Sequence, residues 1–441
     1  MLYRNAMKKL ESWKASKTCQ GVLVTGARQV GKTTLIRQFA KKHYKGLVEL
    51  NFLELPNAAQ TLNSATDVDD LLMRISVLAK KQVQPGETLL FLDEIQECQD
   101  MLTWVKFLSE KTNIDVALSG SLLGIDAFVN VRSIPVGFLQ VIEMYPLTFN
   151  EYAAAFGLGT EVWGKVKECL DLGKEIPGYL HDALMRRFKE YILVGGMPSA
   201  VQAFVDTSQL PAARSVQREI VELYRADITK YVADATEARQ IKMVYDAIPS
   251  QLNTPTKRFK YARIKKGLRF ANLETSFDWL ENAGIAIAAT RVGQATYPLT
   301  LSEDLSSFKF FMNDIGLMTS LVLGDSSIEV VNGTTNINYG SIYEAFVAQE
   351  LLACGFTPHF YASKKRGEVD FVIENKHLGK VLAIEVKSGK NYKRHSALSN
   401  LLESEEIEKA VVLHANNFER ISKQRLYIPI YAACVAAENM L

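Results

Sequence analysis

The sequence predicts an α/β protein: a parallel sheet in residues 1–150, helices after it, and a further α/β domain at the C-terminal end. Three observations predict this. Short apolar, β-rich runs alternate with helical patterns through the first 150 residues, and parallel strands need such crossovers. A glycine-bearing turn, Gly26-Ala27-Arg28-Gln29-Val30-Gly31-Lys32-Thr33, stands between an apolar run and a helical pattern. Near the other end, an apolar helix and two strand-like runs carry isolated acids.

Composition narrows the class. With 441 residues the chain is long enough for two to four domains, and 48% hydrophobic against 23% charged residues lets each bury a core. The net charge of +2 points to no partner, so any nucleic-acid argument rests on local patches. Five scattered cysteines in no pairing pattern suit reduced thiols, and no Cys/His cluster has zinc spacing. The polar N-terminus and the absence of an 18-residue apolar run lead to an expectation of a soluble, cytoplasmic protein with no membrane partner.

In chain order, strands are expected at Gly21–Thr25, Leu47–Phe52, Thr88–Leu92, Asp115–Ser119 and Gln140–Met144, with helices starting near Lys32, Asp67 and Met101. Residues 151–238 read as a helical lid punctuated at Gly195-Gly196-Met197-Pro198. Residues 239–305 read as helix, short basic helix, helix ending at Gly284, and a hairpin of Ile285–Thr290 with Ala295–Leu299. That order suggests a winged helix. Residues 306–441 hold a helix at Tyr339–Cys354 and strands around Val369–Ile373 and Val381–Val386.

The glycine turn fits G-x-x-x-x-G-K-[ST] at every fixed position, and strand-then-helix is the context that gives the match structural meaning. Glycines let backbone N–H groups face phosphates, and the following helix presents its positive end to the same anion. Gly26 through Thr34 are therefore expected to contact ATP, with Lys32 on the β- and γ-phosphates and the Thr33 hydroxyl on Mg2+. Leu89-Leu90-Phe91-Leu92 ends in Asp93 and Glu94, placing Asp93 in the magnesium shell and Glu94 beside the attacking water. Val116-Ala117-Leu118 ends in Ser119-Gly120-Ser121; Ser119 or Ser121 senses the γ-phosphate, or the hydroxyl caps the next helix.

G-A-R-Q-V-G-K-T-T, L-F-L-D-E-I-Q, L-S-G-S-L-L-G and Y-P-L-T-F-N-E-Y together resemble a bacterial and archaeal group of AAA-type P-loop ATPases with a C-terminal domain of unknown function. The likeness runs on through Y-I-L-V-G-G-M-P-S-A-V, Y-R-A-D-I-T-K-Y, A-I-P-S-Q-L and F-M-N-D-I-G-L, so it spans nearly the whole chain. It implies ATP and magnesium binding, and a homo-oligomer with its active site at a subunit interface. One departure stands out. Many relatives carry glycine and a basic residue before Tyr145-Pro146-Leu147, where this chain has Gly137-Phe138. If that basic residue is an arginine finger, Arg132 or Arg225 would have to replace it, or turnover would be slow.

Residues 257–269 contain Lys257, Arg258, Lys260, Arg263, Lys265, Lys266 and Arg269 with no acid among them. On a winged helix such a patch is a DNA footprint; the alternative is a solvated face or one paired with acids elsewhere in the protein. Further on, Glu344 lies in an apolar helix, Asp370 follows Gly367-Glu368-Val369, and Glu385 and Lys387 share one face of a strand. This arrangement resembles the PD-(D/E)xK nuclease fold. The resemblance makes Asp370, Glu385 and Lys387 catalytic, with Glu344, Asp370 and Glu385 as magnesium ligands. The alternative is an inert nuclease-like domain with Glu385 and Lys387 as an internal ion pair.

Overall fold

The computed structural model describes residues 2–16, 21–121, 138–254, 256–324, 339–389, 393, 396–403, 407–420, 422 and 424–440. The chain divides into two compact units, residues 4–145 with 282–284, and residues 1–3, 146–281 and 285–441.

The first unit is a five-stranded parallel sheet. Its strands are β1 (Gly21–Gly26), β2 (Gly46–Asn51), β3 (Thr88–Asp93), β4 (Asp115–Ser119) and β5 (Leu139–Met144), ordered β2-β3-β4-β1-β5. Each expected strand is present to within one residue at either end. Every residue of β1 and β3 is buried, as befits strands covered on both faces. The helices are α1 (Ala6–Ser16), α2 (Lys32–His43), α3 (Ala58–Asn63), α4 (Val68–Ala79) and α5 (Met101–Lys111). The Asp67 carboxylate caps α4 by accepting from the Asp70 N–H at 2.9 Å. Leu50, Leu71, Ile75, Leu90, Leu92, Leu102 and Val105 belong to one buried core, so the strands cannot slip without burying polar side chains.

The second unit begins with eight helices: α6 (Phe149–Ala154), α7 (Thr160–Leu172), α8 (Gly178–Val194), α9 (Pro198–Thr207), α10 (Leu210–Tyr231), α11 (Ala235–Leu252), α12 (Tyr261–Ile264) and α13 (Glu274–Asn282). Strands β6 (Ala286–Val292) and β7 (Glu303–Met312) follow, then α14 (Ile315–Leu323) and α15 (Tyr339–Ala353). Strands β8 (His359–Ser363), β9 (Gly367–Asn375), β10 (Lys380–Val386), β11 (Lys409–His414), β12 (Glu419–Arg420) and β13 (Arg425–Pro429) complete a mixed sheet ordered β12-β13-β11-β10-β9-β8-β6-β7. Helix α16 (Ser396–Glu403) follows β10, and α17 (Ala433–Met440) ends the chain.

Two expectations are corrected. The partner of β6 is β7 at Glu303–Met312, not Ala295–Leu299, and β6 also pairs in parallel with β8. The pair therefore extends the C-terminal sheet, burying Phe308, Phe310, Phe311 and Met312, which the shorter hairpin leaves without a core. Cysteines also pair: α15 packs against α17, and Cys354 and Cys434 form a disulfide with Cα atoms 6.1 Å apart. Cys98 and Cys169 are buried and free. No helix among the described residues is long and apolar enough to cross a membrane.

Two motifs of the family resemblance meet in this unit. Gly195 has φ +71°, and a Cβ there would strike the Asp314 carboxylate. Asp314, fully buried, accepts from the Gly196 N–H at 2.6 Å and caps α14 through the Leu317 N–H at 2.9 Å. G-G-M-P and F-M-N-D-I-G-L are thus two halves of one close backbone approach.

Candidate nucleotide site and the C-terminal charge cluster

Parallel strands deliver their carboxyl ends to one edge of a sheet, where α/β proteins bind ligands. Here Asn51, Asp93 and Ser119 are the last residues of β2, β3 and β4, and Gly26 ends β1. The phosphate loop turns through left-handed backbone at Gly26 (φ +142°), Gln29 (φ +68°) and Gly31 (φ +94°), and α2 begins at Lys32. Ala27 and Val30 pack inward, fixing the curl, while Thr34 faces outward on α2. The Lys32 ammonium is buried and donates to the carbonyls of Gly26 at 3.0 Å and Ala27 at 2.9 Å. Burial lowers its pKa to about 8, against the opposing pull of Glu94 and Asp93.

Asp93 is the hub. Its carboxylate accepts from the Thr33 hydroxyl at 3.1 and 3.2 Å, from the Asn51 amide at 3.2 Å, and from the Ser119 hydroxyl. Burial raises its pKa, and the Ser119 and Thr33 bonds pull it back. Glu94, next in sequence, has φ +58°, an unusual conformation for a side-chain-bearing residue and one that concentrates at functional sites. The Gln96 amide holds its carboxylate at 2.5 Å. The Ser121 hydroxyl is buried and makes no hydrogen bond among the described residues. Hard oxygen donors from Thr33 and Asp93 beside a loop of N–H groups fit a magnesium–phosphate ligand.

Two residues of this site escape sequence reasoning. Arg4 donates to the Val30 carbonyl at 2.8 Å and the Tyr145 carbonyl at 2.6 Å, tying the phosphate loop to the end of β5. Asn51 stands opposite Asp93 in the β2–β3 register. Nothing local marks Arg4, whereas an Asn ending an apolar strand was a usable signal for Asn51. Arg132 lies outside the described residues. Arg225 is engaged by Asp246 at 2.7 Å and Glu222 at 2.5 Å.

In the second unit, Glu344, Asp370, Glu385 and Lys387 gather around α15, β9 and β10, joined by a residue that the sequence patterns do not single out. Lys309 of β7 is 1% exposed, with its nitrogen 3.2 Å from Glu344 Oε2, 3.2 Å from Glu368 Oε1 and 3.5 Å from Asp370 Oδ1. A lone charge in Phe308-Lys309-Phe310-Phe311-Met312 was the available signal. Lys257 pairs with the other oxygen of Glu344, and Arg258 with Glu368 Oε2 at 2.7 Å. Asp370 Oδ2 accepts from the Val386 N–H at 2.9 Å, and Lys387 pairs with Glu385 Oε1 at 2.6 Å. Burial opposes the charge on Lys309, but Glu344, Asp370 and Glu368 hold its pKa well above the ordinary lysine value. The Glu385 pKa also rises, but with the opposite effect on charge: burial, then Asp370, push it up to about 8 and so favour its neutral form. The oxygens of Glu344, Asp370 and Glu385 do not converge as metal ligands. Among the described residues the one trio of ligand atoms within 4.8 Å is Cys354, Cys434 and Glu438, where the two sulfurs are bonded to each other.

Residues 19–153 match the family model described as an AAA domain. Residues 185–328 and 339–433 match two further models, each described as a domain of unknown function (DUF8612 and DUF4143). No curated protein matches the chain. Among solved structures, a Walker-type ATPase of Pyrococcus abyssi is 14% identical, covering 73% of this chain and 96% of its own, at a TM-score of 0.44. The ORC1 protein of Aeropyrum pernix, solved in complex with DNA, is 13% identical over 74% of this chain and 94% of its own, at 0.29. The RuvB Holliday junction branch migration motor of Thermotoga maritima is 15% identical over 65% and 89%, also at 0.29. Likenesses this loose carry no argument. The family model and the sheet it covers identify residues 19–153 as an AAA-type P-loop domain.

Proposed function

We propose that this chain binds ATP at the phosphate loop and hydrolyses it with magnesium. The observation that carries the reading is the contact of the Thr33 hydroxyl with the Asp93 carboxylate beside the buried Lys32. Thr33 and Asp93 would hold the ion, which when bound offsets phosphate charge. Lys32 would leave its own loop carbonyls for the β- and γ-phosphates, and the loop N–H groups from Ala27 to Thr34 would take the remaining oxygens. Glu94, held by Gln96, would accept the proton of the attacking water, and Ser119 would report the γ-phosphate to Asp93.

Lys32→Ala is expected to abolish nucleotide binding in a fluorescent-nucleotide titration. Glu94→Gln is expected to keep binding while turnover falls on the order of 100-fold or more, the worth of a positioned general base. Unchanged turnover in Glu94→Gln would remove Glu94 from the reaction. Homo-oligomerisation belongs to the same proposal, and gel filtration with and without ATP tests it.

A second reading is DNA binding through residues 257–269. It is supported by Lys260, Arg263, Lys265, Lys266 and Arg269, which are exposed and form no salt bridge among the described residues. Lys257 and Arg258 are not available in the same way, being paired with Glu344 and Glu368. Whether the C-terminal sheet also cleaves DNA divides into two proposals. Metal-dependent cleavage through Asp370, Glu385 and Lys387, with Glu344 as a further ligand, predicts nicking that Lys387→Ala abolishes. The packed charge cluster favours the other, an ATPase with a nuclease-like sheet that does not cut.

A further inference from the structure

We infer that the C-terminal acids are a closed, lysine-filled charge cluster, with the Lys309 ammonium standing where a divalent metal would. The inference deepens the non-cutting form of the proposal above and rests on it.

Four carboxylates meet here, Glu344, Glu368, Asp370 and Glu385, and four cations face them, Lys257, Arg258, Lys309 and Lys387. Acids and cations are equal in number, with burial favouring the neutral form of Glu385. Seven of the eight carboxylate oxygens are already taken: both of Glu344 by Lys257 and Lys309, both of Glu368 by Lys309 and Arg258, one of Asp370 by Lys309 and the other by the Val386 N–H, and one of Glu385 by Lys387. Only Glu385 Oε2 is without a partner among the described residues. One free oxygen does not make a site for magnesium, which needs about six oxygen ligands in octahedral array.

The surroundings suit an ammonium better than a hydrated ion. Lys309 is fixed on β7, opposite Ala289 of β6, so its charge cannot leave without the strand. The Phe360 and Phe371 rings lie 5.2 and 5.9 Å from its nitrogen, close enough for cation–π attraction and with no oxygen to offer. Magnesium usually keeps several waters, and aromatic walls give those waters no partners. Lys309 is the one buried cation of the four, so removing any of its three acids leaves its charge less compensated, whereas Lys257, Arg258 and Lys387 keep some access to water. The cluster also anchors the basic segment. Lys257 has φ +52°, and its turn is pinned by the Thr254 hydroxyl at 3.0 Å and by Glu344.

The test is Mn2+ binding to nucleotide-free, full-length protein, read by electron paramagnetic resonance. All samples carry Asp93→Asn so that the phosphate loop adds nothing. The parent is expected to bind no Mn2+ up to millimolar concentration, and adding Asp370→Asn is expected to change nothing. Lys309→Met, which removes the charge at similar length, is expected to bind one Mn2+ per chain, and Asp370→Asn on that background to abolish it. A parent that binds Mn2+ and loses it with Asp370→Asn overturns the inference, as does a folded Lys309→Met that binds none. If circular dichroism shows that Lys309→Met does not fold, the parent and Asp370→Asn titrations decide alone. ATP binding is measured separately in protein with native Asp93, so the inference can fail while the ATPase reading stands.

Discussion

Arg4 illustrates how a residue far from any motif can set a site. Its guanidinium bridges the carbonyls of Val30 and Tyr145, so the phosphate loop is held from behind as well as by its glycines. Arg4→Ala removes two charge-assisted hydrogen bonds, and a stability loss of about 2–3 kcal/mol is expected. Thermal denaturation measures that loss, and a nucleotide titration is expected to show severalfold weaker binding at unchanged stoichiometry. Wild-type affinity in the variant would mean the loop curls without help. At Asp93 the sequence supplied the hub and Thr33, but not Asn51, because the β2–β3 register decides which residue stands opposite. Lys309 was legible only as an anomaly, a charge in an apolar strand. Its three acids come from α15 and β9, and no spacing rule links them.

Helix α15 shows what an element adds. Residues Ser341–Leu351 are all buried, so the helix has no polar stripe and its acids are enclosed whichever way they point. Glu344 enters the charge cluster, while Glu350 Oε1 accepts from the Phe149 N–H at 2.8 Å, where α6 begins. Burial, and then Glu151, push the Glu350 pKa up to about 8, partly offset by the Phe149 bond. Unfolded, the group titrates near its ordinary value of 4.5. Between those values the folded chain keeps a proton that the unfolded chain releases, so this group's contribution to stability falls as pH rises and levels off above 8. Glu350→Gln is therefore expected to flatten the decline, with its melting temperature gaining on the wild type from pH 5 to pH 8. Parallel melting curves across that range would contradict the assignment. Strand β7 was missed for a related reason: its first half, Glu303–Ser307, is polar apart from Leu305, and only pairing with β6 makes it strand.

At the scale of the molecule, the two units differ in how local their logic is. In the first, each strand and the helices α2, α4 and α5 announce themselves, because a parallel sheet needs apolar runs and crossovers in strict alternation, while the helices α1 and α3 do not. In the second, β6 pairs with β8, which begins more than sixty residues after it, and the basic segment is tied down at Lys257 and Arg258. DNA binding there would use the five exposed cations alone. Replacing Lys260, Arg263, Lys265, Lys266 and Arg269 by Gln is expected to lower the slope of log affinity against log salt by about 0.9 for each duplex phosphate that is no longer neutralised. An unchanged slope in a fluorescence anisotropy titration would remove this segment from the interface. The sequence by itself determined the AAA-type core, the phosphate loop and the acids ending β3, since these depend on local backbone geometry and on short apolar patterns. Only the tertiary structure decided that Lys309, Lys257 and Arg258 fill the C-terminal acid site. Ion pairing across distant strands is set by how the sheet closes, and burial then demands that every charge brought together find its opposite.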